Sequence, residues 1–324
     1  TYNGTYLGIS QNINFPSVYF QQDKVQKSNV LLSKKHLAST QNELVRDVKS
    51  AYFQLVFINE LLRLHSYLDS IYKDFADIAE LKYKTGESSY LETISSKSQY
   101  QQILLQKKQV EADKVIYEQE LQKLLNISQP ILSVDETLLK LQLEKDIDTS
   151  ALVHNPLIAE QTQRISFAHS QLSLEKNMLL PNLSFGYFNQ SIDNIKGYQG
   201  FTVGIGVPLF FWGQSGRIQS AQIQVKIEQT MYESLYKNLS TILNKKLKEY
   251  EKYLDQLNYF ESTGLEQADE LLRTSQLSYN NGEIGYTEYI QNLTQAVNLR
   301  TEYLNSLNQL NQNVININYI INLW

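Results

Sequence analysis

The sequence predicts a mainly α-helical protein with a small β part, built as two structural repeats. Three observations lead to this prediction: very long segments without helix breakers, short strand patterns, and one motif that occurs twice. The motif is LKYKTGESSYLET at residues 81–93 and LSYNNGEIGYTEY at residues 277–289. The two copies agree at six of thirteen positions with a constant offset of 196 residues, so they mark equivalent points in two repeats.

The long segments predict helices of unusual length. Ser17–Thr85 contains neither Gly nor Pro over 69 residues, and from Arg217 to Asn281 only Gly264 interrupts. Both segments carry apolar residues at alternating spacings of three and four, which is the seam of helices packed at small crossing angles. The seam residues are Leu61, Leu64, Leu68, Ile71, Phe75 and Ile78 in the first segment, and Leu243, Leu247, Tyr250, Leu254 and Leu257 in the second. The helices alone would fit an extended coiled-coil rod.

The strand patterns argue against a simple rod. Residues 201–210 and 180–190 each alternate apolar residues with small or polar ones, and the turn-rich residues 191–200 between them predict a hairpin. Residues 5–13 align with 201–209 as the equivalent strand of the first repeat. An apolar face opposite a small or polar face fits the wall of a transmembrane β-barrel. A soluble antiparallel sheet with one wet face fits this alternation equally well.

Aromatic residues cluster where strands meet the long helices. Pro16 and Pro208 mark the two passages, as proline suits strand ends and bends. The aromatic residues beside them include Tyr19, Phe20, Phe210, Phe211 and Trp212. Such clusters fit the interfacial girdle of a membrane barrel, although a water-soluble aromatic core is the alternative. Their occurrence in both repeats favours the membrane interpretation.

The repeats divide the chain into three predicted parts. Residues 1–127 form the first repeat, residues 128–154 a connector, and residues 155–324 the second repeat. The second repeat is predicted as a helix (155–179), two strands (181–191 and 199–209), a very long helix (214–280), a tight turn and a helix (285–320). The first repeat lacks the leading helix and strand, so we expect about 50–60 residues to precede Thr1.

Composition and motifs exclude several functions. The net charge of −5 and the absence of a Lys/Arg block argue against a nucleic-acid partner. The chain has no cysteine, its four histidines are far apart, and no phosphate-binding loop or catalytic signature occurs. We therefore predict no enzyme activity, no cofactor and no metal site. No apolar run approaches the roughly 20 residues of a membrane-spanning helix.

The order, spacing and duplication of four stretches resemble a known family. They are LLPNLSFGYFNQS, GFTVGIGVPLFFWGQSGRI, KTGESSYLETISSKSQYQ and NGEIGYTEYIQNL. Together they resemble the TolC-type outer-membrane efflux protein family, and most closely its heavy-metal branch of CzcC- and CusC-like channels. They also resemble the TolC-like domains that are fused to some efflux pumps. The resemblance covers essentially the whole chain.

The resemblance implies an architecture and a role. Very long antiparallel helices would form a helical barrel in the periplasm, and the strands would form a transmembrane β-barrel in the outer membrane of a homotrimer. The protein would be a passive exit duct for metal ions or small molecules. Its partners would be a periplasmic adaptor protein, a resistance-nodulation-division inner-membrane pump and outer-membrane lipid.

The resemblance also implies site residues at the two glycine turns. The turns would dock the adaptor through Lys84, Thr85, Gly86, Glu87, Asn280, Asn281, Gly282 and Glu283. The family narrows its aperture with acids six and nine residues after the second glycine, which are Glu288 and the non-acidic Gln291 here. Glu92 is the equivalent of Glu288 in the first repeat. The alternative for both glutamates is simple stabilisation of a helix N-terminus.

A structural protein is the main alternative to a duct. A periplasmic coiled-coil adaptor without a pore has similar helical hairpins, but it lacks aromatic-flanked, glycine-spaced strand hairpins at fixed positions. Membrane extraction distinguishes the two classes, because the duct needs detergent and the adaptor largely does not.

Overall fold

The computed structural model describes residues 4–131, 137–143, 147–193, 195–207 and 212–324. This part of the chain is mainly helical with a three-stranded sheet, which confirms the predicted mainly α class with a small β part. The elements in order are β1 (Thr5–Ile13), α1 (Pro16–Thr85), α2 (Tyr90–Leu125), a 3₁₀ turn (Thr149–His154), α3 (Pro156–Asn177), β2 (Asn182–Ile192), β3 (Ile195–Gly206), α4 (Trp212–Tyr259), a π-helical turn (Phe260–Gly264), α5 (Leu265–Asn280) and α6 (Tyr286–Ile321). Among the described helices, none is both long and apolar enough to cross a membrane.

The chain divides into two compact units. The strand unit comprises Thr1–Gln41 and Leu152–Ser240, and the helical unit comprises Asn42–Ala151 and Thr241–Trp324. Each unit takes segments from both halves of the chain, so segments of the two predicted repeats lie together within each unit. The helical unit contains both glycine turns.

The sheet of the strand unit separates its apolar and small residues onto two faces. The strands are antiparallel in the order β1-β2-β3, and the predicted hairpin of β2 and β3 is confirmed. Ile9 pairs with Tyr187 and Tyr187 with Phe201, so these side chains share one face. That face is open, since Ile9 is 75% and Phe201 84% exposed. The other face is mostly small or polar: Gly8, Ser10, Ser184, Gly186, Gly200, Thr202 and Gly204, with Phe188 between Gly8 and Gly200.

The second long helix is interrupted, which corrects the prediction of one continuous helix over 214–280. A π-helical turn at Phe260–Gly264 separates α4 from α5. Glycine is a poor helix former, and a π turn absorbs the local change of register. The Phe260 ring packs over Gly264, where an added Cβ would lie 3.0 Å from its Cδ1 atom. The equivalent position in α1 is Leu68, which is buried in a continuous helix.

The predicted helical seams form the core of the helical unit. Leu68 and Phe75 of α1 are 1% and 2% exposed, and Leu243 and Leu257 of α4 are fully buried. Leu61, Ile71, Ile78, Tyr250 and Leu254 pack against this core as partly buried residues. Apolar burial of this kind supplies most of the stability of long amphipathic helices.

A buried amide fixes the connector within the helical unit. Asn311 of α6 is fully buried, and its Oδ1 accepts a hydrogen bond of 2.8 Å from the backbone N–H of Leu141. Its Nδ2 donates to the carbonyl of Leu139 at 2.7 Å. Both bonds satisfy polar groups that would be costly to bury alone. The sequence shows Asn311 only as one of many asparagines in α6, so this role was not predictable.

Candidate functional site at the two glycine turns

The two turns have the same backbone. We call residues 81–93 the first tip and residues 277–289 the second tip. Gly86 has φ +83° and Gly282 has φ +74°, the left-handed conformation that favours glycine. The N–H of Glu87 donates to the carbonyl five residues earlier at 2.8 Å, and the N–H of Glu283 does the same at 2.8 Å. These are the bonds of a glycine C-cap, so each tip is a sharp reversal between two helices with a left-handed glycine at its centre.

The helices that follow the turns begin differently. Ser89 caps α2, and its Oγ accepts a hydrogen bond of 3.2 Å from the N–H of Glu92. Gly285 occupies the cap position of α6 and offers no side-chain bond. Glu92 and Glu288 both lie in the first turn of their helices, where a carboxylate favours the helix dipole. Both glutamates are therefore placed where a carboxylate can stabilise a helix N-terminus, which is the alternative to a constriction role.

All eight residues predicted to dock an adaptor are exposed: Lys84, Thr85, Gly86, Glu87, Asn280, Asn281, Gly282 and Glu283. At the first tip, the Lys84 Nζ lies 2.8 Å and the Lys97 Nζ 2.7 Å from the two oxygens of Glu80. Hydrogen bonds from Lys84 and then Lys97 lower the pKa of Glu80 to about 2. At the second tip, the Ser278 Oγ donates to Glu283 at 2.8 Å. The docking role of these eight exposed residues stays a prediction.

The three predicted constriction residues lie in different surroundings. The Tyr279 hydroxyl donates to the Glu92 Oε1 at 2.9 Å, which joins the two tips within one chain. Glu288 is exposed and lines an open groove of about 590 Å³ between α5 and α6. Gln291 is exposed and lines another groove, of about 660 Å³, between α2 and α6. A constriction formed by these residues stays a prediction.

An aromatic cluster packs the second tip against α1. The Phe75 ring centroid lies 5.4 Å from those of Tyr279 and Tyr286, and 4.9 Å from that of Tyr289. The Lys82 Nζ lies 4.3 Å from the centroid of the Tyr279 ring, a cation–π contact. Such ring pairs add stability beyond their buried area.

Burial and a carboxylate keep these tyrosines protonated. Burial raises the pKa of Tyr279, and its hydrogen bond to Glu92 raises it further. Burial also raises the pKa of Tyr289 to about 12, with the nearby Tyr72 and Tyr67 adding to the shift. The Tyr279 hydroxyl therefore remains a hydrogen-bond donor to Glu92 at neutral pH.

Sequence reasoning missed the aromatic cluster as a site feature. The repeated motif identifies Tyr279 and Tyr286 only as equivalents of Tyr83 and Tyr90, and the helical spacing identifies Phe75 only as a seam residue. The signal that could have found the cluster is the aromatic excess of the second tip, which has Tyr289 where the first has Thr93.

Three of the five predicted membrane-interface aromatics are described, and all three lie in the strand unit. Tyr19, Phe20 and Trp212 are 46%, 69% and 65% exposed. Phe210 and Phe211 lie outside the described residues. Exposure of large aromatic rings near the ends of β1 and β3 fits an apolar environment around the protein. Their membrane role remains a prediction.

Helix α6 carries a long exposed polar stripe. Its residues recur at alternating spacings of three and four, and we call Glu288, Gln291, Gln295, Asn298, Glu302, Asn305 and Gln309 the polar stripe. The helix has three charged residues, namely Glu288, Arg300 and Glu302. The two charged members of the polar stripe, Glu288 and Glu302, are both negative. Arg300 is not a member of the stripe, and its guanidinium is hydrogen-bonded to Asp269 of α5.

The described residues offer no metal centre of the usual kind. In the ranges that the structure describes, no three His, Asp or Glu side chains are grouped so that they could hold a metal ion.

Solved outer-membrane channels share this fold. The structure is similar to that of CusC, described for transmembrane channel formation, with a TM-score of 0.82 and 16% identity over 99% of this chain and 82% of CusC. The CmeC outer membrane channel of Campylobacter jejuni gives a TM-score of 0.81 at 14% identity, over 99% of this chain and 77% of CmeC. The MtrE outer membrane channel of Neisseria gonorrhoeae gives 0.79 at 13% identity, over 99% of this chain and 80% of MtrE. At these identities the likeness concerns the fold, which is that of outer-membrane channels.

The family follows from the sequence. Residues 149–323 match the profile of the outer membrane efflux protein family, and this range is more than half of the chain. The chain therefore belongs to the outer membrane efflux protein family, a family of transport channels and not of enzymes. No curated protein matches the chain. The predicted TolC-type family is confirmed, while membership of its heavy-metal branch stays a prediction.

Proposed function

We propose that this protein is the outer-membrane channel of a tripartite efflux system, in which a homotrimer acts as a passive exit duct. The observation that carries the proposal is the open apolar face of the sheet in a chain of this family. Ile9, Phe201 and Val203 on that face are each more than 70% exposed. An apolar face of this extent is costly in water and favourable in lipid. The sheet would therefore lie in the outer membrane, as part of a closed barrel.

The polar stripe of α6 is proposed to line the helical part of the duct. A spacing of alternately three and four keeps a stripe on one side of a supercoiled helix, so it can face a common axis along its whole length. Amide side chains bind water without fixing a charged cargo. Glu288 and Gln291, at the end of the stripe nearest the second tip, are the proposed constriction, with Glu92 as the first-repeat equivalent.

We propose cations, including metal ions, as the preferred cargo, in line with the resemblance to the heavy-metal branch. The support is electrostatic, since the polar stripe carries Glu288 and Glu302 while Arg300 is paired with Asp269. A ring of three carboxylates attracts cations and repels anions in a narrow pore. Neutral small molecules are the second cargo class, because five of the seven stripe residues are uncharged amides.

The two tips are proposed to dock a periplasmic adaptor that connects the duct to a resistance-nodulation-division inner-membrane pump. The eight predicted docking residues support this because all of them are exposed on glycine turns. Tyr19, Phe20 and Trp212 are proposed to lie at the lipid interface. The helical part would then be in the periplasm. A coiled-coil adaptor without a pore is not favoured, because the family match and the sheet both belong to channels.

Conductance in a planar bilayer tests the proposal. The full-length protein should give discrete, cation-selective steps, and Glu288→Gln should reduce the selectivity for K⁺ over Cl⁻. Glu266→Gln is the matched control, because Glu266 is an exposed glutamate on α5 and is not a member of the polar stripe. Silence from a protein that is extracted without detergent would contradict the channel. Steps that both variants leave unchanged would keep the channel and exclude Glu288 as its selectivity residue.

A further inference from the structure

A groove of about 430 Å³ lies between α1, α5 and α6, and we call it the arginine groove. Two arginines line it, Arg63 of α1 and Arg300 of α6, although the whole sequence has six arginines. The wall beside them is apolar and aromatic, with Leu64, Tyr67 and Tyr303. Leu64 is 9% exposed, so the wall continues into the buried core. The groove therefore combines an apolar surface with guanidinium groups.

The two acids of the arginine groove are already bonded within the chain. The Glu60 Oε1 accepts hydrogen bonds from the Arg63 Nη1 at 3.0 Å and from the backbone N–H of Leu138 at 3.3 Å. Asp269 accepts from the Arg300 Nη2, and its side chain is 63% exposed to water. Each carboxylate therefore has a guanidinium beside it, and the groove does not favour a cation.

The arginines have more donors than these acids use. A guanidinium carries five N–H donors in a fixed plane. Within the part of the chain that the structure describes, the Arg300 Nε is buried and has no hydrogen-bond partner. A buried donor without an acceptor is costly. The Arg300 Cζ lies 5.7 Å from the centroid of the Tyr67 ring, a cation–π contact that orients the guanidinium.

Tyr303 adds a further donor beside the arginines. Burial raises the pKa of Tyr303, and the nearby Glu261 and Glu60 raise it further. Its hydroxyl therefore stays protonated at neutral pH. The groove thus offers donors to a ligand that brings its own acceptors.

The repeat architecture does not require these arginines. The offset of 196 residues places Tyr259 at the equivalent of Arg63 and Leu104 at the equivalent of Arg300. Lys73 stands at the equivalent of Asp269. The equivalent positions of the other repeat are thus filled without either arginine. The charge pattern belongs to this groove and not to the packing that both repeats share.

The arginine groove is separate from the polar stripe. Arg300 is two residues from Asn298 and from Glu302, which is about 200° around an α-helix. The groove also adjoins the π-helical turn, because the lining residue Leu265 is the first residue of α5. Single π turns occur frequently at functional sites. The groove is therefore a second candidate site on a different side of α6.

We propose that the arginine groove binds an organic carboxylate with a small apolar body. The carboxylate accepts hydrogen bonds from the Arg300 Nε and from Arg63, since the guanidinium fork matches the geometry of a carboxylate. The apolar body packs on Leu64 and on the rings of Tyr67 and Tyr303. The volume of the groove is that of an ordinary small-molecule site. This inference goes beyond the proposed function, because the site needs neither a pore nor a second copy.

Binding of naphthylacetate to the full-length protein in detergent tests the proposal. Isothermal titration calorimetry, with a titration into empty micelles subtracted, should show saturable binding at one site per chain. Naphthylacetamide has the same rings without the charge, so it should bind about tenfold more weakly or worse, as expected when a hydrogen bond between charged groups is lost. Equal affinities of the acid and the amide would overturn the proposal. The absence of saturable naphthylacetate binding would also overturn it, because water then satisfies the Arg300 Nε.

Arginine variants locate the site. Arg300→Gln and Arg63→Gln should each weaken naphthylacetate binding about tenfold and affect naphthylacetamide much less, because each removes a charged donor. Arg300→Lys should restore only part of the affinity, since it keeps the charge and loses the fork. Arg273→Gln is the matched control and should leave binding unchanged, because Arg273 is bonded to Glu270 of its own helix and does not line the groove.

The variants also decide against the proposal if they fail to act. Unchanged naphthylacetate binding by folded Arg300→Gln and Arg63→Gln, with native helix content by circular dichroism, would place the ligand elsewhere and overturn the assignment. If a variant loses helix content, the comparison of acid and amide on the unsubstituted protein decides alone. Conductance is measured separately, so failure of this site and failure of the duct are distinguishable.

Discussion

The two tips have the same sequence pattern and the same backbone but different surroundings. At the second tip, Tyr279 is buried against Phe75 and bonded to Glu92. At the first tip, the equivalent Tyr83 is exposed. The equivalent of Glu92 is Glu288 of the second tip, which lines an open groove. The turn is thus a local property of each repeat. Whether its tyrosines are buried and hydrogen-bonded depends on which part of the chain packs beside the turn.

The largest expected effect comes from removing the ring on which the second tip packs. Phe75→Ala should lower the free energy of local opening of residues 277–289 by about 3–5 kcal/mol, because it leaves a cavity under three tyrosines. Leu271→Ala, at the equivalent position, should cost about 1 kcal/mol or less in a single copy, since the groove there is already open. Hydrogen exchange of the second tip measures both variants. Equal losses of opening free energy in the two variants would mean that the second tip does not depend specifically on the Phe75 ring.

The glycine turns should respond equally at both tips. Gly86→Ala and Gly282→Ala place a β-carbon at positive φ, which costs about 1–2 kcal/mol. No heavy atom lies within 4 Å of the position that a Cβ would take at either glycine, so the cost comes from the backbone alone. Gly285→Ala is the control, because its φ of −81° suits any residue. Thermal unfolding measures the series, and a control as damaging as the other two would contradict this explanation.

The tyrosine hydroxyl should matter only at the second tip of a single copy. Tyr279→Phe leaves Glu92 without its donor, so it should destabilise local structure by about 1–2 kcal/mol. Tyr83→Phe should have no measurable effect on a dissociated copy, because no bond is lost there. Hydrogen exchange at the first turn of α2 reports the difference. Equal effects in the dissociated protein would indicate that Tyr83 has a partner in its own chain.

The smallest expected effect is a pH dependence confined to the first tip. Lys84 and Lys97 hold the pKa of Glu80 at about 2, below the ordinary value of 4.5. A depressed carboxyl pKa contributes stability that is present above pH 4.5 and is lost as the pH falls towards 2. The equivalent residue in the second repeat is Gln276, which does not titrate, so only the first tip should loosen over this range. Glu80→Gln should remove the dependence, which hydrogen exchange at both tips can follow; loosening of the second tip alone would contradict it.

Much of the fold could be predicted because its signals are local. The absence of Gly and Pro predicts α1, and a spacing of three and four predicts the buried Leu68 and Phe75. Alternation predicts the β2–β3 hairpin and its apolar face. The π-helical turn was not predictable, because Gly264 by itself is compatible with a continuous, weakened helix. Its conformation depends on how the Phe260 ring packs in the core.

The candidate site was predictable in position but not in its contacts. The repeated motif located both turns, and the glycine in each copy is the residue that the structure holds in the left-handed conformation. Nothing in the motif distinguishes Glu92 from Glu288, since both follow their glycine by six residues. The structure separates them, because the donor to Glu92 lies 187 residues away in the chain.

The sequence by itself determined the long helices, the strand alternation, the two turns and the repeat that relates them. These features depend on backbone propensity and periodicity within a few residues. Only the tertiary structure decided which tyrosines are buried and that Asn311 holds the connector. Each of these features depends on a side chain from a distant segment of the chain. Burial is decided by both surfaces of a contact, so neither segment predicts it alone.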